Sequence, residues 1–406
     1  MTAGRVLAIL AIAELFGMAP WFSASAVSPT LAQLWHLDVS GTAWLTISVQ
    51  LGFVFGALVS AVLTLSDIWS ARRLVAVSAL LAGLATVGVA VSRSASSGIA
   101  FRFLTGATLA GVYPPGMKIA AGWFREARGW AIGILVGALT LGSATPHLVR
   151  WIVSPDAWRE VLLIAAASAW VGASLVLLIP SDGPFAAPSP PFSWSAAPKL
   201  LRDPAVRLAN LGYLGHMWEL YAMWTWMAAF VAASETARTG QGGELGGEHR
   251  SVAALITFGV IGSGAVGCWL GGRFADRAGR TTVTSIAMIV SSGCCLVVGA
   301  LFGQSLWQLV PLLIVWGIAA VADSAQFSTA VSELAPKDYV GTALTLQTCL
   351  GFLLTTVTIS LLPELGRAVG WRWSMSLLAI GPALGAWAML TLRGRPEALR
   401  LAGGRR

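Results

Sequence analysis

Apolar runs bounded by charges, glycines and prolines recur along the whole chain. Each is close to the roughly 20 residues that a helix needs to cross a hydrocarbon core. The pattern predicts helices over 5–34, 41–65, 74–92, 97–119, 128–152 and 158–179, then six more over 206–233, 251–273, 281–302, 306–331, 340–362 and 370–393. Two stretches interrupt the rhythm. Residues 181–205 are rich in Pro and Ser and turn charged at Lys199, Arg202 and Asp203, as a linker between two bundles would. Residues 234–250 mix glycines with Glu235, Arg238, Glu244, Glu248, His249 and Arg250, and read as a mobile loop on the outer face. The expected architecture is an all-α integral membrane protein. It has a six-helix bundle at 1–180, a cytoplasmic linker at 181–205, a second bundle at 206–393 and a cytoplasmic tail at 394–406.

The two halves repeat. Glu14-Leu15-Phe16-Gly17-Met18-Ala19-Pro20-Trp21 in the first helix aligns with Glu219-Leu220-Tyr221-Ala222-Met223-Trp224-Thr225-Trp226 in the seventh, 205 residues later. Asp67 pairs with Asp276, Gly129 with Gly341, and Trp158-Arg159 with Trp371-Arg372, at offsets of 209, 212 and 213. Charged residues kept in register argue for duplicated six-helix units related by an axis along the membrane normal, which allows two bundles to rock about a site between them.

Composition narrows the class. Hydrophobic residues make up 56% and charged residues 11% of the chain, against about 25% charged in an ordinary soluble domain. The net charge of +8 does not point to nucleic acid, because no basic helix or aromatic-studded basic patch exists to dock on phosphate. It is topological instead. Arg5, Arg72, Arg73, Lys118, Arg125, Arg128, Lys199, Arg202, Arg207, Arg273, Arg277, Arg280, Lys337 and the basic tail fall on one side, which predicts cytoplasmic termini. The opening resembles a signal peptide, but Glu14 in its apolar stretch argues against cleavage. Cys268, Cys294, Cys295 and Cys349 lie inside apolar runs, so neither a disulfide framework nor a metal site is expected.

The loop after the eighth helix reads Gly272-Arg273-Phe274-Ala275-Asp276-Arg277-Ala278-Gly279-Arg280. It resembles the Gly-x-x-x-Asp-Arg-x-Gly-Arg signature of the major facilitator superfamily of secondary transporters. The first-half copy, Asp67-Ile68-Trp69-Ser70-Ala71-Arg72, keeps an acid and a base but loses the glycines. Arg102-Phe103-Leu104-Thr105-Gly106, Pro114-Pro115, Trp123-Phe124 and Arg128-Gly129 follow at spacings that also resemble this superfamily, so the likeness covers essentially the whole chain. There is a weaker likeness to its nitrate/nitrite and organic-anion branches. The superfamily implies a twelve-helix bundle pair, alternating access and no enzymatic step. It makes Gly272, Asp276, Arg277, Gly279 and Arg280, with Asp67 and Arg72, a gate latch in which Asp276 meets the helix start near Gly129.

Acids deep in helices are the candidate proton carriers, because a carboxyl group in low dielectric readily takes and loses a proton as its surroundings open. These are Glu14, Glu219 and Asp323, with His216 one turn before Glu219. Arg102 is a candidate partner for a solute anion, or else snorkels to outer headgroups. Tyr113, Tyr221, Trp224 and Gln347 are candidate pocket residues. The expectation is a monomer of a bacterial-type inner membrane that moves a small anionic or polar organic solute with protons and needs no cofactor. One rival is a proton-antiporting exporter of lipophilic or cationic compounds, and another is a sensor that keeps the fold without moving solute. No nucleophile-and-base constellation supports an enzyme.

Overall fold

The computed structural model describes residues 1–125, 128–154, 156–186, 192–240 and 247–405, and among them it is helical without a strand. Twelve membrane segments account for the fold. α1 is built of three pieces, Ala3–Met18, Ser23–Ala26 and Ser28–Leu34. It is followed by α2 (Val39–Val62), α3 (Ala71–Val91), α4 (Ala95–Leu109 and Tyr113–Trp123), α5 (Arg128–Ile152) and α6 (Trp158–Val176). The second half holds α7 (Pro204–Thr239), α8 (Gly247–Ala278), α9 (Arg280–Val297), α10 (Leu306–Ala322 and Ser324–Leu334), α11 (Val340–Val369) and α12 (Trp371–Arg393).

Nine stretches among the described residues are long and apolar enough to cross a membrane. Of the remaining spans, α1 and α4 are broken, and α7 is continuous but carries Asn210, His216 and Glu219. Pro20 cannot donate a backbone hydrogen bond, so α1 gives way at 19–22 and its sequence-predicted single helix is divided. Pro114 and Pro115 open the second piece of α4, which likewise departs from one uninterrupted helix. The loop expected over 234–250 is shorter than the pattern suggested. α7 continues to Thr239 because Glu235 and Arg238, one turn apart, form an ion pair at 2.9 Å, and α8 begins at Gly247. Residues 241–246 lie outside the described residues, as do 187–191 of the expected linker, within which Ala197–Arg202 is helical.

Glycines set how closely the helices approach. A methyl group at Gly52 or Gly56 of α2 would overlap the carbonyl oxygens of Phe103 or Ala107 on α4, and one at Gly106 of α4 would overlap Val49 of α2. The second half repeats the device between α8 and α10. There Gly267, Gly271 and Gly317 stand against the carbonyls of Ile318, Ala322 and Val260. Gly56/Gly267 and Gly106/Gly317 are each 211 residues apart, inside the window of the sequence repeat. Without water as a driving solvent, such backbone proximity supplies much of helix association. Gly106→Ala should therefore cost about 1–3 kcal/mol and lower the melting temperature of the detergent-solubilised protein. Gly293→Ala, where nothing lies within 4 Å, should not.

The halves meet along two seams, α2 against α11 and α5 against α8. On the face away from the termini both seams are tied, Ser40 Oγ donating to Glu364 Oε1 at 3.2 Å and Ser251 Oγ to the Trp151 carbonyl at 3.2 Å. On the terminal face they part around a cavity.

Candidate functional site

The cavity has a volume of about 930 Å³ and runs from the centre of the molecule to the loops of the terminal face. α2, α4 and α5 line one side, α7, α10 and α11 the other. Three of the chain's four tyrosines stand on its wall, Tyr113, Tyr213 and Tyr221, together with Trp224, His216 and Phe352.

An aromatic cluster forms its ceiling. Trp21 and Phe22, at the break in α1, and Phe53 of α2 meet Tyr221 and Trp224 of α7 and Phe352 of α11. The ring-centre separations are 4.5 Å for Phe53–Phe352, 5.6 Å for Trp21–Phe352, 5.7 Å for Trp21–Tyr221 and 5.7 Å for Phe22–Trp224. Three rings come from each half, so the cluster parts only if the halves separate there.

Arg102 lies outside this cavity. It is 0% exposed, and its guanidinium donates to the carbonyl of Leu45 at 3.0 Å, to that of Pro20 at 2.8 Å and to that of Trp21. Neither the solute-anion role nor headgroup snorkelling describes that placement. The break in α1 frees carbonyls within the membrane, where each must find a donor inside the protein; Ser23 Oγ donates to that of Pro20 at 2.9 Å, and Arg102 to those of Pro20 and Trp21.

The acids of the two halves, aligned in sequence, sit in unlike surroundings. Glu219 Oε1 accepts from Ser291 Oγ at 2.5 Å, from Cys295 Sγ at 3.3 Å and from Trp316 Nε1. Glu14 is equally buried, yet neither of its oxygens has a hydrogen-bond partner. It fits behind the cavity wall because Gly116 has no side chain; a methyl there would lie 2.9 Å from Oε2.

His216 turns its Nδ1 to Asp323 Oδ1 at 2.9 Å, the acid at the interruption of α10, rather than to Glu219. Its Nε2 has no partner, and the residue is on the cavity wall. The aspartate thus orients the ring and leaves one nitrogen available to a solute or a proton. Gln347 is buried with both amide atoms unpartnered, beside the wall rather than on it.

Charges gather at the mouth. Lys118 pairs with Asp67 at 2.5 Å and donates to the Ser66 carbonyl at 2.9 Å. Asp67 therefore serves a partner in its own half, and Arg72 donates to the Ile179 carbonyl at 2.8 Å. Arg280 grips Glu333 through two bonds of 2.8 and 2.7 Å and reaches Gln326 at 2.9 Å. Asp276 crosses the seam to α5, where a methyl at Gly129 would be 3.3 Å from its Oδ2. Gly272 faces the Gly129 carbonyl on the same seam, and Gly279 turns α8 into α9 with φ of 93°, a conformation that favours glycine. Arg277 is exposed. Among the described residues no group of three or more His, Cys, Asp or Glu is placed to hold a metal ion.

Sequence reasoning missed Trp21, Phe22, Phe53, Tyr213 and Phe352, and also Gln50 and His147, which are buried polar residues on α2 and α5. The available signal was helical spacing. Gln50 lies seven residues before Ala57, and His147 seven after Thr140, both of which line the cavity.

The family model for the Major Facilitator Superfamily matches residues 10–357 and 239–406. A D-xylose transporter of Levilactobacillus brevis is 31% identical over 136 residues, a match that spans 33% of this chain and 28% of the relative. Among solved structures, a proton:xylose symporter, XylE, superposes with a TM-score of 0.73 at 14% identity, covering 96% of this chain and 95% of that one. The human organic anion transporter MFSD10 does so with a TM-score of 0.70 at 15% identity, covering 96% and 100%. At such identities the likeness is one of fold.

Proposed function

The chain belongs to the Major Facilitator Superfamily, a multi-pass membrane transporter of small molecules, and from that premise we propose a proton-coupled exporter of amphipathic organic cations. It works by alternating access, as a monomer of a bacterial-type inner membrane with cytoplasmic termini. The Arg and Lys clusters of the terminal face support that orientation, and the cavity then opens to the cytoplasm.

The observation that carries this reading is His216, held on Asp323 with Nε2 free on the wall beneath Tyr221 and Trp224. A planar cation can stack on the aromatic ceiling, where a ring face attracts positive charge. The His216–Asp323 pair supplies negative charge when it has lost its proton. A proton and a cation compete for that pair, and competition of this kind couples their opposite movements.

An anionic solute fits less well. The cationic side chains on the described wall, Lys118 and Arg280, are both engaged by carboxylates at the mouth, and Arg102 is spent on carbonyls. The partial kinship with a D-xylose transporter favours a second reading, a neutral polyhydroxylated solute for the tyrosine hydroxyls.

A thermal-shift screen of the purified protein separates these. Ethidium at about 100 times its dissociation constant should stabilise by about 2.7 kcal/mol, and more strongly at pH 7.5 than at pH 5.5. Stabilisation by benzoate or nitrate instead would restore the anion reading, and by D-xylose alone the sugar reading.

A further inference from the structure

We propose that Gln50 and His147, with the Trp21 indole, form the outer half of the solute path, a hydrogen-bonding site that the aromatic ceiling and the far-face ties close off when the cavity is open to the termini. This rests on the transport reading above, but not on which solute is carried.

Three observations place the site. First, Gln50 and His147 are 0% and 1% exposed, and both amide atoms of one and both ring nitrogens of the other lack any hydrogen-bond partner; Trp21 Nε1, also buried, lacks one too. Polar groups buried in this way are costly and rarely left unpaired. Such a cost is tolerated where another state of the protein satisfies the groups.

Second, both residues extend the stripes that line the cavity. On α2 the lining residues Ala57 and Ala61 continue backward through Phe53 to Gln50, and on α5 Ile132, Val136 and Thr140 continue forward to His147, at the spacing of one helix face. The chain that faces solute below the ceiling presents these side chains above it.

Third, neighbouring contacts fix the level. Ser25 Oγ and Thr46 Oγ1 are 2.8 Å apart, so Gln50, one turn nearer the ceiling on α2, stands beside the break in α1. A methyl at Gly142 would overlap the Leu15 carbonyl. His147, five residues further along α5, is about 7.5 Å higher, level with Pro20 to Phe22. All three groups therefore ring the break, with the Trp21 indole in the ceiling itself and Gln50 one turn beyond Phe53 on α2. Being neutral donors and acceptors, they suit the polar part of an amphipathic solute released toward the outside.

Accessibility tests this without knowledge of the solute. Gln50→Cys and His147→Cys proteins in right-side-out vesicles are treated with the impermeant thiol reagent MTSET, with the wild-type chain and its four buried cysteines as background. Both introduced thiols should react from the far face, and a disulfide between Ser40→Cys and Glu364→Cys, which holds that seam shut, should slow each reaction by at least about tenfold.

The proposal is overturned if either thiol stays inert in a variant that still moves ethidium, or if both react equally with the seam locked. If the protein moves no ethidium yet both thiols show gated labelling, the outer path stands and the assignment of the solute falls. If one variant does not fold, the other decides by the same criteria.

Discussion

Arg102→Met is expected to yield little or no folded protein, rather than a folded transporter with altered specificity. The substitution removes three charge-assisted hydrogen bonds, to the carbonyls of Leu45, Pro20 and Trp21, each worth about 1.5–3 kcal/mol. Ser23 Oγ still reaches the Pro20 carbonyl at 2.9 Å, but the guanidinium's bonds are lost inside the membrane, where no water replaces them. A loss on the order of 5 kcal/mol is a large part of the stability of an ordinary domain. Arg102→Lys keeps the charge but not the planar fork, so it should be intermediate. Size-exclusion profiles of a fluorescent fusion read this directly. A monodisperse Arg102→Met peak at wild-type yield, melting within about 2 °C of wild type, would return Arg102 to the solute.

Asp323→Asn is expected to spare folding and to uncouple transport. The side chain is nearly isosteric, and the amide oxygen can still face His216 Nδ1, at 2.9 Å in the native protein. The substitution removes the carboxylate that faces His216 Nδ1 behind the cavity wall. Proton-driven accumulation of ethidium should fall by about 100-fold, the scale on which a positioned acid–base group acts. Downhill ethidium flux should stay within a few fold. Glu219, by contrast, has three donors on one oxygen and lies behind the wall, so its first role is to position α7 against α9 and α10.

The twelve spans, the signature residues and the three buried acids were legible in the sequence because they depend on local pattern, although Gly272 to Ala278, expected as a loop, end the helix α8. Hydropathy sets the spans, and a carboxylate in an apolar run is conspicuous wherever it points. The partners of those residues were not legible. Arg102 meets carbonyls 57 and 82 residues away, and its destination follows from the break in α1, whose consequence is visible only in three dimensions.

The repeat misled in a similar way. Trp21 and Trp226 align, but Trp21 packs in the aromatic ceiling while Trp226 donates to the Ile359 carbonyl of α11 at 2.9 Å. His216 was readable as a buried base, yet its helical neighbour Glu219 was the wrong partner. The interruption of α10 at Asp323 brings that acid to the ring.

Proton coupling through the His216–Asp323 pair is the central claim, and lumenal pH in proteoliposomes tests it most directly. Vesicles loaded with ethidium and a pH-sensitive dye are diluted into ethidium-free buffer. For the wild-type protein, efflux of the cation should acidify the lumen as protons enter in exchange, and the Asp323→Asn protein should release ethidium with no change in lumenal pH. Wild-type efflux without acidification, or equal acidification by the two proteins, would contradict the account.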